Sequence, residues 1–297
     1  MKEFKLVKKE ENREITGLII EPKKGWKGIV IIAHGMAENK ERYLNFIEFL
    51  AQNGYIAIVY DHLGHGINTH EEDLGYFGKN KEILALDLVE VLNDLKKQYP
   101  NVSVNILGHS MGSLVVRQFL QKHDYQIKKC IVCGPPTYNP FSFLGKRIAS
   151  ILTIFHGERY RSAFLNKLVF GSYNKKNTLE NAWICTDEKV VKAYNESNRC
   201  GFIFTINGFQ MLFFLMASVF KRKNYKMTNP NLPLFIIGGE DDQVIGGKKK
   251  FNHLIQFLKK CGYQNIQTKL YKNKRHELLN EVGKEEIYQD ILNFLDK

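Results

Sequence analysis

Residues 102–114 read VSVNILGHSMGSL. Val104, Ile106 and Leu107 close an apolar, β-branched run of the kind that forms a buried strand. Gly108-His109-Ser110-Met111-Gly112 then turns a corner, and Ser113 to Lys122 carries a helical pattern. A serine at the apex of a sharp strand-to-helix turn is the arrangement of a nucleophile elbow. Glycine two residues to either side lets neighbouring backbone pass where a Cβ would collide. The same five residues would serve an ordinary strand-to-helix turn, so the remainder of the chain has to decide between the two.

Upstream, residues 28–33 (GIVIIA) and 55–60 (YIAIVY) are continuous apolar runs suited to strands covered on both faces. Helical spacing at 39–53 and a strongly amphipathic stretch at 81–98 alternate with them, and a strand at 127–133 follows the elbow helix. The chain opens on two alternating segments, about 4–9 and 15–20, that read as a strand pair. Strand and helix in alternation imply parallel strands joined by right-handed crossovers, hence an α/β fold. From Thr137 to Asn229 the alternation lapses into aromatic and basic residues with helix-like patches. It resumes with PLFIIGG at 233–239, a helix at 246–262, a strand near 266–271 and a helix at 283–296. The expectation is a catalytic domain built from 1–136 and 230–297. Residues 137–229 then form a helical insertion, a cap or lid over the carboxyl edge of the sheet, where open α/β sheets bind ligands.

At 297 residues, 44% of them hydrophobic and 25% charged, the chain can bury a large core. The net charge of +12 raises the question of nucleic acid, but 34 of the 43 basic residues are lysines scattered along the length. Lys248-Lys249-Lys250 and Lys221-Arg222-Lys223 lack the arginine-rich, aromatic-interleaved pattern of a nucleic-acid surface. They read as solvated faces, with attraction to anionic lipid as a secondary effect. Five cysteines, an odd number, without an apolar export segment at the N-terminus point to reduced thiols in the cytoplasm. Cys130 and Cys133 have the spacing of a redox or metal pair, yet sit in a strand-like run with no second pair to complete a zinc site. No metal set or cofactor motif emerges, so neither is expected. No stretch of 18 residues lacks polar groups, so no transmembrane segment is expected.

A serine nucleophile needs a base, an orienter for that base and donors for the oxyanion. The elbow therefore predicts an acid and then a histidine, each just after a later strand. Gly238-Gly239-Glu240-Asp241-Asp242-Gln243-Val244 follows the strand at 233–237, and Asn273-Lys274-Arg275-His276-Glu277-Leu278 follows the strand at 266–271. Asp241 and Asp242 both fit a G-x-x-D spacing, from Gly238 and Gly239 respectively. One oxyanion N–H is expected from Met111, after the serine, and the other from Met36, in the His34-Gly35-Met36 loop after the strand at 28–33.

The set HGMAENKERY (34–43), YDHLGHG (60–66), GHSMGS (108–113), GGEDDQV (238–244) and RHELLNE (275–281) resembles the monoacylglycerol lipase and lysophospholipase branch of the α/β-hydrolases, the serine aminopeptidase S33-like family. The resemblance implies a sheet of about eight strands, mostly parallel, with a helical cap inserted after the sixth. It implies a serine triad that cleaves single-chain acyl glycerols, lysophospholipids or similar esters. Carried over by position, Ser110 is the nucleophile, His276 the base and Asp242 the orienting acid. Asp242 is preferred to Asp241 because the family places an aliphatic residue two positions on, here Val244. Glu38-Asn39 stands where the family often has Glu-His, and Leu63 where D-x-R-G-H-G has arginine. His109 reads as the variable residue of the elbow, and His65 as a brace for its loop. His62, His70 and His156 receive no role.

Ser142–Phe155 and Gly201–Phe220 are more apolar than solvated helices need. One face of each can pack on the catalytic domain. The surplus suggests a tunnel for an acyl chain or a surface in transient contact with lipid. Substrates are expected to be medium or long single-chain esters. The rival readings are an esterase or amidase acting on short, aromatic or peptide-like substrates, and a non-catalytic binding protein of the same fold.

Overall fold

The computed structural model describes residues 1–8, 11, 13–173 and 179–297; residue 9, where the first strand is expected to end, and 174–178 of the expected insertion lie outside the described residues. Among the described residues eight strands, β1 (Lys2–Lys8), β2 (Arg13–Ile20), β3 (Gly28–Ala33), β4 (Tyr55–Tyr60), β5 (Val104–His109), β6 (Lys129–Cys133), β7 (Leu234–Gly239) and β8 (Ile266–Tyr271), form one sheet. Their order is β1-β2-β4-β3-β5-β6-β7-β8. Strand β2 runs antiparallel to β1 and β4, and every pair from β4 to β8 is parallel.

The helices are α1 (Leu44–Gln52), α2 (Ile83–Gln98), α3 (Met111–His123), α4 (Phe141–His156), α5 (Ala163–Phe170), α6 (Glu188–Glu196), α7 (Ile206–Ser218), α8 (Lys248–Cys261) and α9 (Lys284–Asp296). Alternate residues of a strand face opposite sides of its sheet, and β3 divides its isoleucines and valine accordingly. Val30 and Ile32 belong to a core with Phe46, Ile47 and Leu50 of α1 and Ile287, Ile291 and Leu295 of α9. Ile29 and Ile31 belong to a second core with Leu88 and Leu92 of α2, Val115 and Phe119 of α3, and Leu254 and Leu258 of α8. Cover on both faces is why the central strands carry no alternation in the sequence.

The helix expected from residue 39 starts at Leu44, after a 3-10 turn over Lys40–Tyr43. The Asp61 carboxylate at the end of β4 holds that turn, accepting from the Lys40 amide at 2.9 Å and from its ammonium at 2.5 Å. Cys130 and Cys133 are buried in β6, and burial pushes both thiols up, so they have the inert character of core residues.

Helices α4 to α7 lie between β6 and β7, with α4 along α7 and α7 against α3. The two apolar helices differ in what covers them. Helix α7 buries Phe209, Met211, Leu212, Phe213 and Leu215, most of its circumference. Helix α4 turns Phe143, Leu144, Ile151, Ile154 and Phe155 outward, the last two 80% and 75% exposed. Among the described residues no helix is long and apolar enough to cross a membrane.

Candidate active site

Ser110 stands between β5 and α3 with φ 51° and ψ −116°, a conformation L-residues rarely adopt. Its amide donates to the Cys133 carbonyl at 3.0 Å, and its carbonyl accepts from the Ser113 amide at 2.9 Å. A Cβ at Gly112 would overlap the Ala33 and His34 carbonyl oxygens, and one at Gly108 would overlap Gly112. Both glycines are therefore required for α3 to start this close to the end of β3.

The structure brings Ser110, Asp242 and His276 together. Ser110 Oγ is 2.8 Å from His276 Nε2, and His276 Nδ1 is 2.9 Å from Asp242 Oδ2. The other carboxylate oxygen, Asp242 Oδ1, accepts from the Val244 amide at 2.8 Å, which fixes the carboxylate in its loop. Asp242 is 2% exposed, whereas Asp241 faces solvent. Met36 and Met111 border the same cavity as Ser110 and His276.

Paired histidines shape the loops after β3 and β4. His65 Nε2 accepts from the amide of Ala37, whose φ of 50° marks a tight turn beside the Met36 loop. Burial pushes the His65 imidazole down to about 3, which keeps it a neutral acceptor. His34 Nε2 accepts from the His62 amide at 3.0 Å. Leu63 packs against the apolar core.

The sequence reading missed a network built on Glu38, in which the buried His109 takes part. The buried Glu38 Oε1 accepts from the Gly35 amide at 2.5 Å, from the Tyr43 hydroxyl at 2.8 Å and from His109 Nδ1 at 3.2 Å. Its Oε2 accepts from Arg42 at 2.9 Å. The Arg42 fork also donates to both oxygens of Glu277, at 2.5 and 2.6 Å. His109 Nε2 lies 3.3 Å from the carbonyl oxygen of His276. Burial alone would raise the Glu38 carboxyl, but the His109 hydrogen bond and the Arg42 charge outweigh it and hold the group well below the usual carboxylate range. Burial would likewise lower His109, and the Glu38 carboxylate reverses that, so its imidazole is raised. The visible signal was Glu38, Arg42 and Tyr43 within one ten-residue segment. Their partners His109 and Glu277 come from 71 and 235 residues away.

A cavity of about 700 Å³ lies over Ser110. The helical segment supplies its apolar wall, including Leu144, Phe170, Trp183, Phe202, Phe213 and Met216. The Trp183 ring centre is 5.4 Å from that of His276. Part of this segment is tied to the His276 loop: the Glu277 amide donates to the Ile184 carbonyl at 2.7 Å, and Arg275 donates to the Ala182 carbonyl.

An eight-stranded, mostly parallel sheet with a serine elbow after β5 and a histidine after β8 is an α/β-hydrolase. The family described as serine aminopeptidase, S33, matches residues 24–283, and the chain belongs to it. A monoglyceride lipase homolog of monkeypox virus is 36% identical over 90 residues, a match spanning 30% of this chain and 31% of that protein. The probable lysophospholipase L2 of Haemophilus influenzae is 21% identical over 291 residues, 92% of this chain and 84% of that one. A thermostable carboxyl esterase from Bacillus coagulans, solved with glycerol, shares the fold at a TM-score of 0.90 and 21% identity, over 99% of this chain and 97% of its own.

Proposed function

We propose that the chain hydrolyses carboxylic esters of single-chain acyl lipids, of monoacylglycerol or lysophospholipid type. The observation that carries this reading is the contact chain from Ser110 through His276 to Asp242 at the floor of a 700 Å³ cavity with an apolar wall. The names of relatives, a monoglyceride lipase homolog and a probable lysophospholipase, support the substrate class.

In the proposed reaction Asp242 accepts Nδ1–H of His276, which leaves Nε2 to accept the Ser110 proton. Ser110 Oγ bonds to the ester carbon, and the backbone N–H groups of Met36 and Met111 stabilise the oxyanion. The intermediate collapses, the C–O bond to the alcohol breaks, and His276 returns the proton to the departing oxygen. Water then gives a proton to His276 and attacks the acyl-serine. The carboxylic acid leaves, and the proton goes back to Ser110.

Residues 137–229 act as a cap on the domain formed by 1–136 and 230–297, and the acyl chain lies beneath it. The cap also touches lipid. Phe164 and Leu168 of α5 are exposed as well, and Leu144 and Leu168 are both exposed and part of the cavity wall. The mouth of the cavity thus opens within an apolar surface. Five free cysteines, four of them buried, fit a reducing compartment such as the cytoplasm.

The test is turnover of a chain-length series of monoacylglycerols, lysophospholipids and nitrophenyl esters, alongside Ser110→Ala. Burying a methylene contributes about 0.8 kcal/mol, so kcat/KM should rise by up to roughly fourfold per added carbon until the cavity is filled. All of that activity should vanish in the variant. Turnover confined to short or aromatic esters would overturn the lipid assignment and keep the nucleophile. A flat profile from acetate to palmitate would remove the cap from chain selection.

A further inference from the structure

We propose that Glu38 is a positioning residue for this site: one buried carboxylate holds the oxyanion loop, the elbow and the base loop in register. The proposal rests on the reading of Ser110 and His276 as the reacting pair. Each tie is made one residue away from a group that the reaction uses. Glu38 accepts from the amide of Gly35, next to Met36. It accepts from His109, next to Ser110. Through Arg42 it reaches Glu277, next to His276. The His109 ring closes the circuit, since its other nitrogen faces the His276 carbonyl and its centre lies 4.9 Å from the His276 ring centre.

The chemistry requires a carboxylate at this position. Four donors converge on its two oxygens: the Gly35 amide, the Tyr43 hydroxyl, His109 and Arg42. An ionised carboxylate has about four acceptor sites, whereas a side-chain amide has one acceptor oxygen and presents N–H donors from its other end. Glutamine at 38 would set a donor against Arg42 or against His109. Charge leads to the same conclusion. Arg42 keeps Glu277 as a partner without Glu38, but the buried His109 has Glu38 as its facing carboxylate, with Glu277 acting only at longer range. Glu38 borders the cavity, yet its oxygens are already engaged, so a role in holding substrate is separable from a role in positioning.

The experiment uses the full chain, with active sites counted by a fluorophosphonate probe, and compares Glu38→Gln and Arg42→Lys with wild type. Thermal melting is measured in parallel. For Glu38→Gln the expected result is a fall in kcat per titrated site of tenfold or more, with KM within about twofold. Arg42→Lys keeps the charge and loses the fork, and should give a smaller fall of the same kind. If Glu38→Gln does not fold, Arg42→Lys carries the test alone. Folded variants with wild-type kcat per titrated site would overturn the proposal and leave Glu38 a purely structural group, whatever the melting temperature. A loss confined to KM would also overturn it, because it would make Glu38 a substrate contact. A wild-type chain that is neither labelled at Ser110 nor active on any ester would overturn the reading beneath the proposal instead.

Discussion

Ser110 holds a left-handed backbone that costs a non-glycine residue on the order of 1–3 kcal/mol. A helix packed under the end of β3 by Gly112 leaves it no alternative. Ser110→Gly should therefore melt above Ser110→Ala by a few degrees, about 1 kcal/mol, because glycine adopts φ > 0 freely and gives back only part of that in chain entropy. Both variants should be inactive, and differential scanning calorimetry separates them. Equal melting temperatures would mean that the turn is not strained. The pair Glu38–His109 makes a pH prediction. His109 is raised above its ordinary value, so its contribution is full below about pH 6.5 and is lost as pH rises through the raised value. Glu38 is lowered, so its contribution is present above about pH 4.5 and is lost as pH falls through the lowered value. The melting difference between wild type and His109→Gln should be greatest from about pH 4.5 to 6.5 and shrink above it. A difference independent of pH between 5 and 9 would show that His109 carries no charge in this network. At this scale legibility followed distance along the chain. Gly-x-Ser-x-Gly is local and could be read directly. Order after later strands reached His276 and the pair Asp241 and Asp242, and the family resemblance, with its aliphatic residue two positions on, chose Asp242. Glu38 was quoted in a motif but had no visible partner, because folding alone brings His109 and Glu277 to it.

Among the elements, continuous apolar runs made the central strands legible, and the helices of the α/β repeat followed from their spacing. The two apolar helices of the 137–229 segment were legible as an excess, but their packing was not. In each, apolar residues cover more than one face, and composition does not say which face meets protein. The structure buries α7 between α3 and α4 and leaves the outer face of α4 in the open. Residues 143, 147, 151, 154 and 155 recur at helical spacing along that face, and Arg147 among them stacks over Phe143 at 4.5 Å. An apolar face on a helix whose opposite side already packs on α7 has no folding role to explain it. Ile154→Asn combined with Phe155→Ser should leave melting within about 0.5 kcal/mol of wild type, as for most surface changes. Turnover of a water-soluble short ester should stay within twofold. Flotation with vesicles, and turnover of long-chain monoacylglycerol presented in them, should fall at least fivefold. Unchanged vesicle binding would remove α4 from the lipid reading.

Across the whole molecule, the alternation of strand and helix made the α/β sheet readable, and its lapse after β6 marked the stretch that holds helices α4 to α7. The net charge of +12 did not reveal where it acts. The structure gives it a location to test. Residues 137–173 contain Lys146, Arg147, Arg159, Arg161 and Lys167 against a single acid, Glu158. Arg159 also pairs with Asp73 of the neighbouring loop at 2.6 Å, so the local cationic excess is three, five basic less Glu158 and Asp73, on the segment that carries the exposed apolar face. In the proposed lipid contact, apolar burial and attraction to anionic headgroups combine, with about 1 kcal/mol for each basic residue that comes close to the membrane. The two contributions separate by salt, because the screening length falls from about 10 Å at 0.1 M to about 3 Å at 1 M. At low salt, vesicles rich in anionic lipid should bind the chain at least tenfold more tightly than neutral ones. At 1 M salt the two should converge on the residual binding that the Ile154 and Phe155 changes abolish. Equal binding to neutral and anionic vesicles at low salt would mean that the charge faces solvent and that the apolar face of α4 acts alone.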